Sequence, residues 1–499
     1  MEYLDRPLIK FSDNPADWWT IRNAVTGVQI FGGIGSGKSS GSGKTLAYSF
    51  LKNGFGGVVL TGKVDETETW LQYAAAVGRL DDVEIFGAPR KSRTNDPYAH
   101  LRNKSYKFNP LAYLANQQEA GSTDNIVSLF MAIIRVGDRI GGLGEGSSGD
   151  PFWDRALKRA LKSAVDLLQL ARQVAEFIGD DVKKFSLTVP NISKVIRETP
   201  LPGKKIANDN FTIECLALAK EAPLMLNDKR LDNIYQVVED YFIYDFPRMP
   251  EKTRGSVLET FYAFANPFRS GPLADYFSTD LSEQILPEQT FETSDRKGKI
   301  IILDFPVKEF LEVGIYAQAI YKKLWQQAVE RRAVTTDTSP VFLWVDEAQF
   351  FLSEDDMMFQ TTARSSRACT VMISQNISNY YATIGGAHPK ERVNSLLGNL
   401  STKIFHANND YVTNEWAANT IGRTFQSQMN VSIGESKSAS LSQALNYQIE
   451  PQAFTLLRNG GTLNQNRVEG IVTVSGKRWS NGSNHIQTFF FQDSTALNL

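Results

Sequence analysis

The chain has 499 residues and a formal net charge of −2. That length accommodates two or three structural units, or one large α/β domain with an insertion. The near-neutral balance excludes a nucleic-acid reader that relies on an overall basic surface, so any DNA contact comes from a local patch or from one basic loop repeated around a ring.

Cys215 and Cys369 lie too far apart in sequence for a disulfide framework or a metal knuckle, which points to a reducing cytoplasm. Four scattered histidines, His100, His388, His406 and His485, give no zinc pattern. No signal peptide is visible, and no run of about 20 apolar residues offers a bilayer span.

In chain order, residues 28–31 (Val-Gln-Ile-Phe) read as a buried strand before a glycine cluster, and Ser39 to Lys52 as the helix that follows. Residues 57–61 form a second buried strand, Glu66 to Val77 a helix, and Val83 to Phe86 a third strand. This alternation predicts a mainly parallel sheet covered on both faces.

After Asn109-Pro110-Leu111 helical periodicity takes over until about residue 290, with helices at 125–135, 151–178, 215–221 and 253–266. Asp150 and Pro151 supply start chemistry for the second of these. Strand patterns return at 299–305, 341–345, 370–374 and 403–406, with a long helix at 314–332 between the first two. The last 75 or so residues are rich in Ser, Asn, Gln and Gly, yet hold a strand-like run at 470–474 and a Phe489-Phe490-Phe491 cluster.

The fold class is therefore α/β: a P-loop NTPase domain with a mainly parallel sheet, interrupted by an all-α domain. The expected division is 1–110 and 291–425 for the nucleotide-binding domain, 111–290 for the helical insertion, and 426–499 for a C-terminal segment packed on the former.

Residues 32–39 satisfy G-x-x-x-x-G-K-[ST]: Gly32, Gly33, Ile34, Gly35, Ser36, Gly37, Lys38 and Ser39, with Ser40 next. Glycines let backbone N–H groups converge on phosphates, the lysine reaches the β- and γ-phosphates, and the serine hydroxyl ligates Mg²⁺. ATP and Mg²⁺ are the cofactors expected. A second Gly-Lys-Thr at 43–45 lacks the required earlier glycine, so Lys44 and Thr45 read as helix surface. Gly144 to Gly149 matches G-x-G-x-x-G without a preceding strand and reads as a loop.

Residues 341–347 (Val-Phe-Leu-Trp-Val-Asp-Glu) form an apolar strand ending in two acids. Asp346 would sit beside the Mg²⁺ sphere and Glu347 would act as general base on the attacking water. Arg364 and Arg367 precede the next strand, which ends at Ser374-Gln375. A polar residue there can sense the γ-phosphate. An arginine on a preceding helix can face a neighbouring subunit's nucleotide, or the two arginines can form surface ion pairs.

These motifs in this order resemble the coupling ATPases of type IV secretion and conjugation, the TraD/TraG-like group, grouped with FtsK and HerA. The resemblance runs through Gly-Ser-Gly-Lys-Ser at 35–39, Asn109-Pro110-Leu111, Pro151-Phe152-Trp153, Lys299 to Phe305, and the block from Trp344 to Arg423. It implies a RecA-like ATPase in a homohexameric ring, with Arg364 acting in trans and Gln375 as sensor. It also implies pumping of DNA or nucleoprotein, with relaxase or secretion-channel proteins as partners.

Most members begin with two membrane helices, and none precedes the P-loop here. That departure resembles a cytoplasmic branch without a direct membrane span, recruitable to the inner face of the cell membrane. Two rival readings are a substrate receptor in which ATP only switches conformation, and a HerA-like ATPase in DNA processing or phage defence.

Overall fold

The computed structural model describes residues 2–88, 96–117, 122–140, 151–278, 284–385, 388–433 and 437–493. The glycine pattern at 144–149 and the proposed cap Asp150 lie outside these residues. Strands in chain order are β1 (Pro7–Lys10), β2 (Trp18–Thr20), β3 (Val28–Phe31), β4 (Gly56–Leu60), β5 (Val83–Gly87), β6 (Ile300–Asp304) and β7 (Val341–Val345). They continue with β8 (Ala368–Ser374), β9 (Thr402–Phe405), β10 (Arg423–Ile433), β11 (Lys437–Tyr447), β12 (Arg467–Val474) and β13 (His485–Phe491).

Strands covered on both faces carry uninterrupted apolar runs rather than alternation. Accordingly β3, β4, β6, β7, β8 and β9 are buried at every residue. The large sheet runs β13-β12-β9-β3-β8-β7-β4-β6-β5. Pairs β9–β3, β3–β8, β8–β7 and β7–β4 are parallel, whereas β12 joins β9, and β13 joins β12, in antiparallel register.

The chain forms two units. One comprises residues 1–84, 288–302 and 326–499, and the other 85–287 and 303–325. In the first, Trp70 stacks on Phe342 at 5.5 Å and Phe50 on Phe55, also at 5.5 Å, so the core is aromatic beneath β4 and β7. In the second, Phe86, Phe108, Phe277, Phe305 and Tyr321 form one ring cluster. Helix Pro151–Ile178 packs there on helix Phe211–Met225.

Asn109 explains its motif locally. Its Oδ1 accepts the N–H groups of Leu111 and Ala112 at the start of helix Pro110–Asn116, and its Nδ2 donates to the Leu187 carbonyl.

Several elements differ from the sequence expectation at their ends. The helix expected at 125–135 spans Ser122–Ile140, and the long one before β7 starts at Val307 with a kink at Leu311 (φ 50°, ψ −127°). The antiparallel ribbon β10–β11 was not expected at all. No helix among the described residues is long and apolar enough to cross a membrane.

Candidate nucleotide site at the strand ends

Strands β3, β8, β7 and β4 lie side by side and parallel, and each hands over to polar residues at its carboxyl end. Ligands of open α/β sheets bind beyond such ends.

After β3 the chain turns through Gly32 to Lys38. The Gly33 N–H donates to the Ala407 carbonyl at 2.8 Å and the Gly32 N–H to that of Ser374 at 3.3 Å. Gly35 and Gly37 have φ of 72° and 83°, and a Cβ on Gly37 would come within 2.4 Å of Val468. Only glycine meets both demands. The N–H groups of Gly35, Gly37 and Lys38 have no acceptor among the described residues, and Ser36 Oγ is buried without a partner. Converging unsatisfied donors before a helix make an anion cradle.

Ile34 is 87% exposed, so only its backbone shapes the loop. Ser40 is exposed and its Oγ accepts from Gln492 Nε2 at 2.6 Å, tying the loop's exit to the end of β13.

The helix after the loop is not α-helical from Ser39. Residues Ser39–Gly43 form a π turn, in which the Gly43 N–H reaches the Lys38 carbonyl at 2.9 Å, and α-helix Lys44–Lys52 follows. Thr45 also departs from expectation. It is buried, and its hydroxyl bonds to the Gly41 carbonyl, because the wider turn rotates it inward. Lys44 is part-buried and donates to the Gln492 carbonyl.

Ser39 Oγ donates to Asp346 Oδ2 at 2.8 Å, across 307 positions of sequence. Asp346 Oδ1 accepts the N–H of Glu347. Glu347 itself adopts φ 49°, ψ 48°, a left-handed backbone that costs a non-glycine residue about 1 kcal/mol or more. The strain turns its carboxyl toward three donors: Lys63 Nζ at 2.7 Å, Gln349 Nε2 at 2.8 Å and Gln375 Nε2 at 3.5 Å. Burial pushes the Glu347 pKa up, but the Lys63 and Gln349 bonds outweigh it and hold the carboxylate below its ordinary range.

Lys38 is 8% exposed; burial lowers its pKa, against the opposing charges of Asp346 and Glu347. For Lys63 burial also acts downward, but Asp346 and the bond to Glu347 raise it overall. Lys38, Ser39, Asp346, Glu347 and Gln375 thus belong to one cluster, with Asn408 Nδ2 fixing the Gln375 carbonyl.

Sequence reasoning missed Lys63, Glu66 and Gln349. Burial, reinforced by the charge of Asp346, pushes Glu66 up to about 8. Its Oε2 accepts the Gly62 N–H, whereas Oε1 is buried without a partner. Lys63, Glu66, Tyr73 and Trp344 line a cavity of about 130 Å³ beside Ser39 and Asp346. For Lys63 and Glu66 the signal is close to the one used for Asp346-Glu347: charged residues within a few positions of a buried apolar run.

Arg364 does not lie on a helix. It is exposed in the turn between helix Glu354–Thr362 and β8, and its guanidinium has no partner among the described residues. Arg367 is not a surface ion pair either. It is buried with φ 51°, donating to the carbonyls of Thr336 and Thr338, while Arg332 donates to those of Ser366 and Arg367. Both clamp the turn that carries Arg364.

His406 links the loop to β12: its Nε2 meets Ser42 Oγ at 2.7 Å and its Nδ1 the Glu469 carbonyl at 2.8 Å. Burial lowers its pKa to about 4. An unfolded histidine titrates near 6.5, so acid favours the unfolded state. This contribution is full above about pH 6.5 and is lost as pH falls toward about 4. Thermal melts at pH 7 and 4.5 should show a smaller acid loss for His406→Gln than for the wild type.

Residues 340–454 match the family described as the TraM recognition site of TraD and TraG. No curated protein matches the sequence. Among solved structures, the bacterial conjugative coupling protein TrwB lacking its first 70 residues, in its unbound monoclinic form, aligns over 96% of this chain and 87% of its own, with a TM-score of 0.57 and 12% identity. The plasmid coupling protein TrwB in complex with the ATP analogue ADPNP aligns over 96% and 89%, with a TM-score of 0.55 and 13% identity. Its complex with ADP and Mg²⁺ aligns over 97% and 89%, with a TM-score of 0.51 and 11% identity. The chain thus has the α/β fold of the conjugative coupling proteins and resembles the TraD/TraG group in sequence over residues 340–454.

Proposed function

We propose that the chain is an ATP-hydrolysing DNA translocase that couples DNA or nucleoprotein to conjugative or type IV secretion transfer. The observation that carries this reading is the Ser39–Asp346–Glu347 constellation beyond β3 and β7, set on a coupling-protein fold.

The residues fit Mg²⁺ and ATP. The Ser39 hydroxyl and the Asp346 carboxylate are hard oxygen donors 2.8 Å apart, and the loop's N–H groups await an anion. Ser39 and Asp346 would hold Mg²⁺, which would supply neutralisation of phosphate charge there. Gly32 to Ser40 cradle the phosphates and Lys38 reaches the transferred group. Glu347, held by Lys63 and Gln349, takes the proton of the attacking water, and Gln375 orients that water. Arg364 acts on the site of the next subunit in a homohexamer.

Residues 1–110 and 291–425 form the nucleotide-binding domain, 111–290 the helical insertion and 426–499 a packed C-terminal segment. Relaxase or channel proteins are the partners, met in the cytoplasm at the inner membrane face.

The match at 340–454 also favours a second reading, a docking receptor in which ATP switches conformation. ATP turnover with and without single- and double-stranded DNA separates the two, with Lys38→Ala as blank. The motor predicts DNA stimulation that Lys38→Ala abolishes. Slow turnover indifferent to DNA selects the receptor.

A further inference from the structure

At the opposite end of the sheet from the nucleotide loop lies a second polar cavity, of about 700 Å³. In the parallel register Val28 pairs with Thr402 and Phe31 with Phe405. The cavity opens beside Thr402 and Lys403, whereas the P-loop follows Phe31, roughly 10 Å of strand away. The antiparallel strand β12 brings Thr473 and Val474 to the same end.

Lys403 projects into this cavity. The residue is only 6% exposed, and its ammonium makes no hydrogen bond or ion pair among the described residues. Buried charges are normally paired, because desolvation costs more than an unmet ion can recover. No neighbouring charge offsets that cost here: burial alone acts on Lys403 and lowers its pKa to about 8, so it remains largely cationic at neutral pH.

The rest of the lining has one character. Lys477 and Arg478 add two more cations, Thr420, Thr473 and Ser483 add hydroxyls, and no carboxylate lines the cavity among the described residues. The nearest acid acting on Lys477 is Asp17, which is already engaged by Ser12 and Ser480. Lys477 itself donates to the Trp18 carbonyl and Arg478 is exposed to solvent, so Lys403 is the buried cation left over.

We infer that this cavity is an anion site for a phosphate group, with Lys403 as its central charge and Lys477 and Arg478 at its mouth. An unpaired ammonium on a largely buried side chain, opening on a cavity lined by hydroxyls, matches a tetrahedral oxyanion, which accepts several donors at once. The volume exceeds one phosphate, so the group arrives on a larger ligand: a phosphorylated small molecule or the backbone of a nucleic-acid strand. The site is separate from the P-loop and does not rest on the ATPase reading.

The test uses full-length protein in a Lys38→Ala background, which weakens phosphate binding at the P-loop and leaves its remaining contribution equal in every variant compared. Calorimetry with inorganic pyrophosphate and fluorescence anisotropy with a labelled oligo-dT strand serve as probes. Lys403→Met is expected to weaken binding by about tenfold or more, Lys403→Arg to retain it, and Arg478→Ala to weaken it by a few-fold. Without ligand, Lys403→Met is expected to melt higher than its parent, because a partly desolvated, unpaired charge is removed. Lys403-dependent binding of pyrophosphate identifies a small phosphorylated ligand; Lys403-dependent binding of the strand alone identifies a nucleic-acid backbone. If Lys403→Met and its parent bind both probes equally, or neither probe binds, the proposal is overturned. Should Lys403→Met fail to fold, the Arg478→Ala and Lys403→Arg pair decides by the same readout.

Discussion

Glu347→Gln should lower the turnover number by about 10²- to 10⁴-fold, the contribution of a positioned general base, while leaving nucleotide affinity within a few-fold. Glutamine keeps the shape but cannot take a proton. Its carbonyl can still accept from Lys63, although its amide then faces the amide donors of Gln349 and Gln375. Glu347→Asp keeps the charge and withdraws it by one methylene, so it should be impaired less. Single-turnover hydrolysis alongside filter binding of labelled ATP checks both.

The wild type should also keep its activity at acid pH below the ordinary glutamate range, since Lys63 and Gln349 hold Glu347 ionised against the opposing effect of burial. If Glu347→Gln retains turnover within tenfold of wild type, the base lies elsewhere. Glu66, the other carboxylate beside Asp346, is then the first alternative.

Arg364→Ala is expected to cost about 10³-fold or more in turnover, as loss of a transition-state arginine does, with ATP binding retained. Geometry decides where that arginine can act. Arg364 precedes β8 and Gln375 follows it, so the seven residues of the strand separate them, roughly 23 Å at strand rise. An arginine side chain cannot span that distance, so Arg364 cannot reach the site of its own subunit.

Its guanidinium is exposed and unpaired among the described residues, on a turn clamped by Arg332 and Arg367. That is how a group presented to another subunit should be held. Mixing Arg364→Ala with Lys38→Ala subunits is the decisive measurement. Each alone should be inactive, and the mixture should regain part of the activity, because one supplies the nucleotide site and the other the arginine. A mixture as inactive as its components would remove Arg364 from catalysis.

Much of this site was legible in the chain because its parts are local. The P-loop is eight consecutive residues whose glycines are required by their own backbone angles and by contacts such as Gly37 against Val468. The buried parallel strands announce themselves as unbroken apolar runs, and Asp346-Glu347 follow one of them directly. The ribbon β10–β11 also leaves a trace in the chain. Phe425, Met429, Val431 and Ile433 fall at every second position or multiples of it, a pattern diluted by the Ser, Asn and Gln between them.

Taken by itself, the sequence determined the local matters: which segments are buried strands, where the anion cradle lies, and which two acids stand at a strand end. Short-range sterics and hydrophobic periodicity decide those. The tertiary structure alone decided that β4 lies beside β7, which brings Lys63 and Glu66 to the acids. It also decided that Thr45 and Arg367 turn inward, that Arg364 lies exposed at the far end of β8 from its own site, and that Lys403 is left without a counterion. The pairing of β4 with β7 and of β9 with β12 depends on strand order and register between segments far apart in the chain, which no local preference encodes.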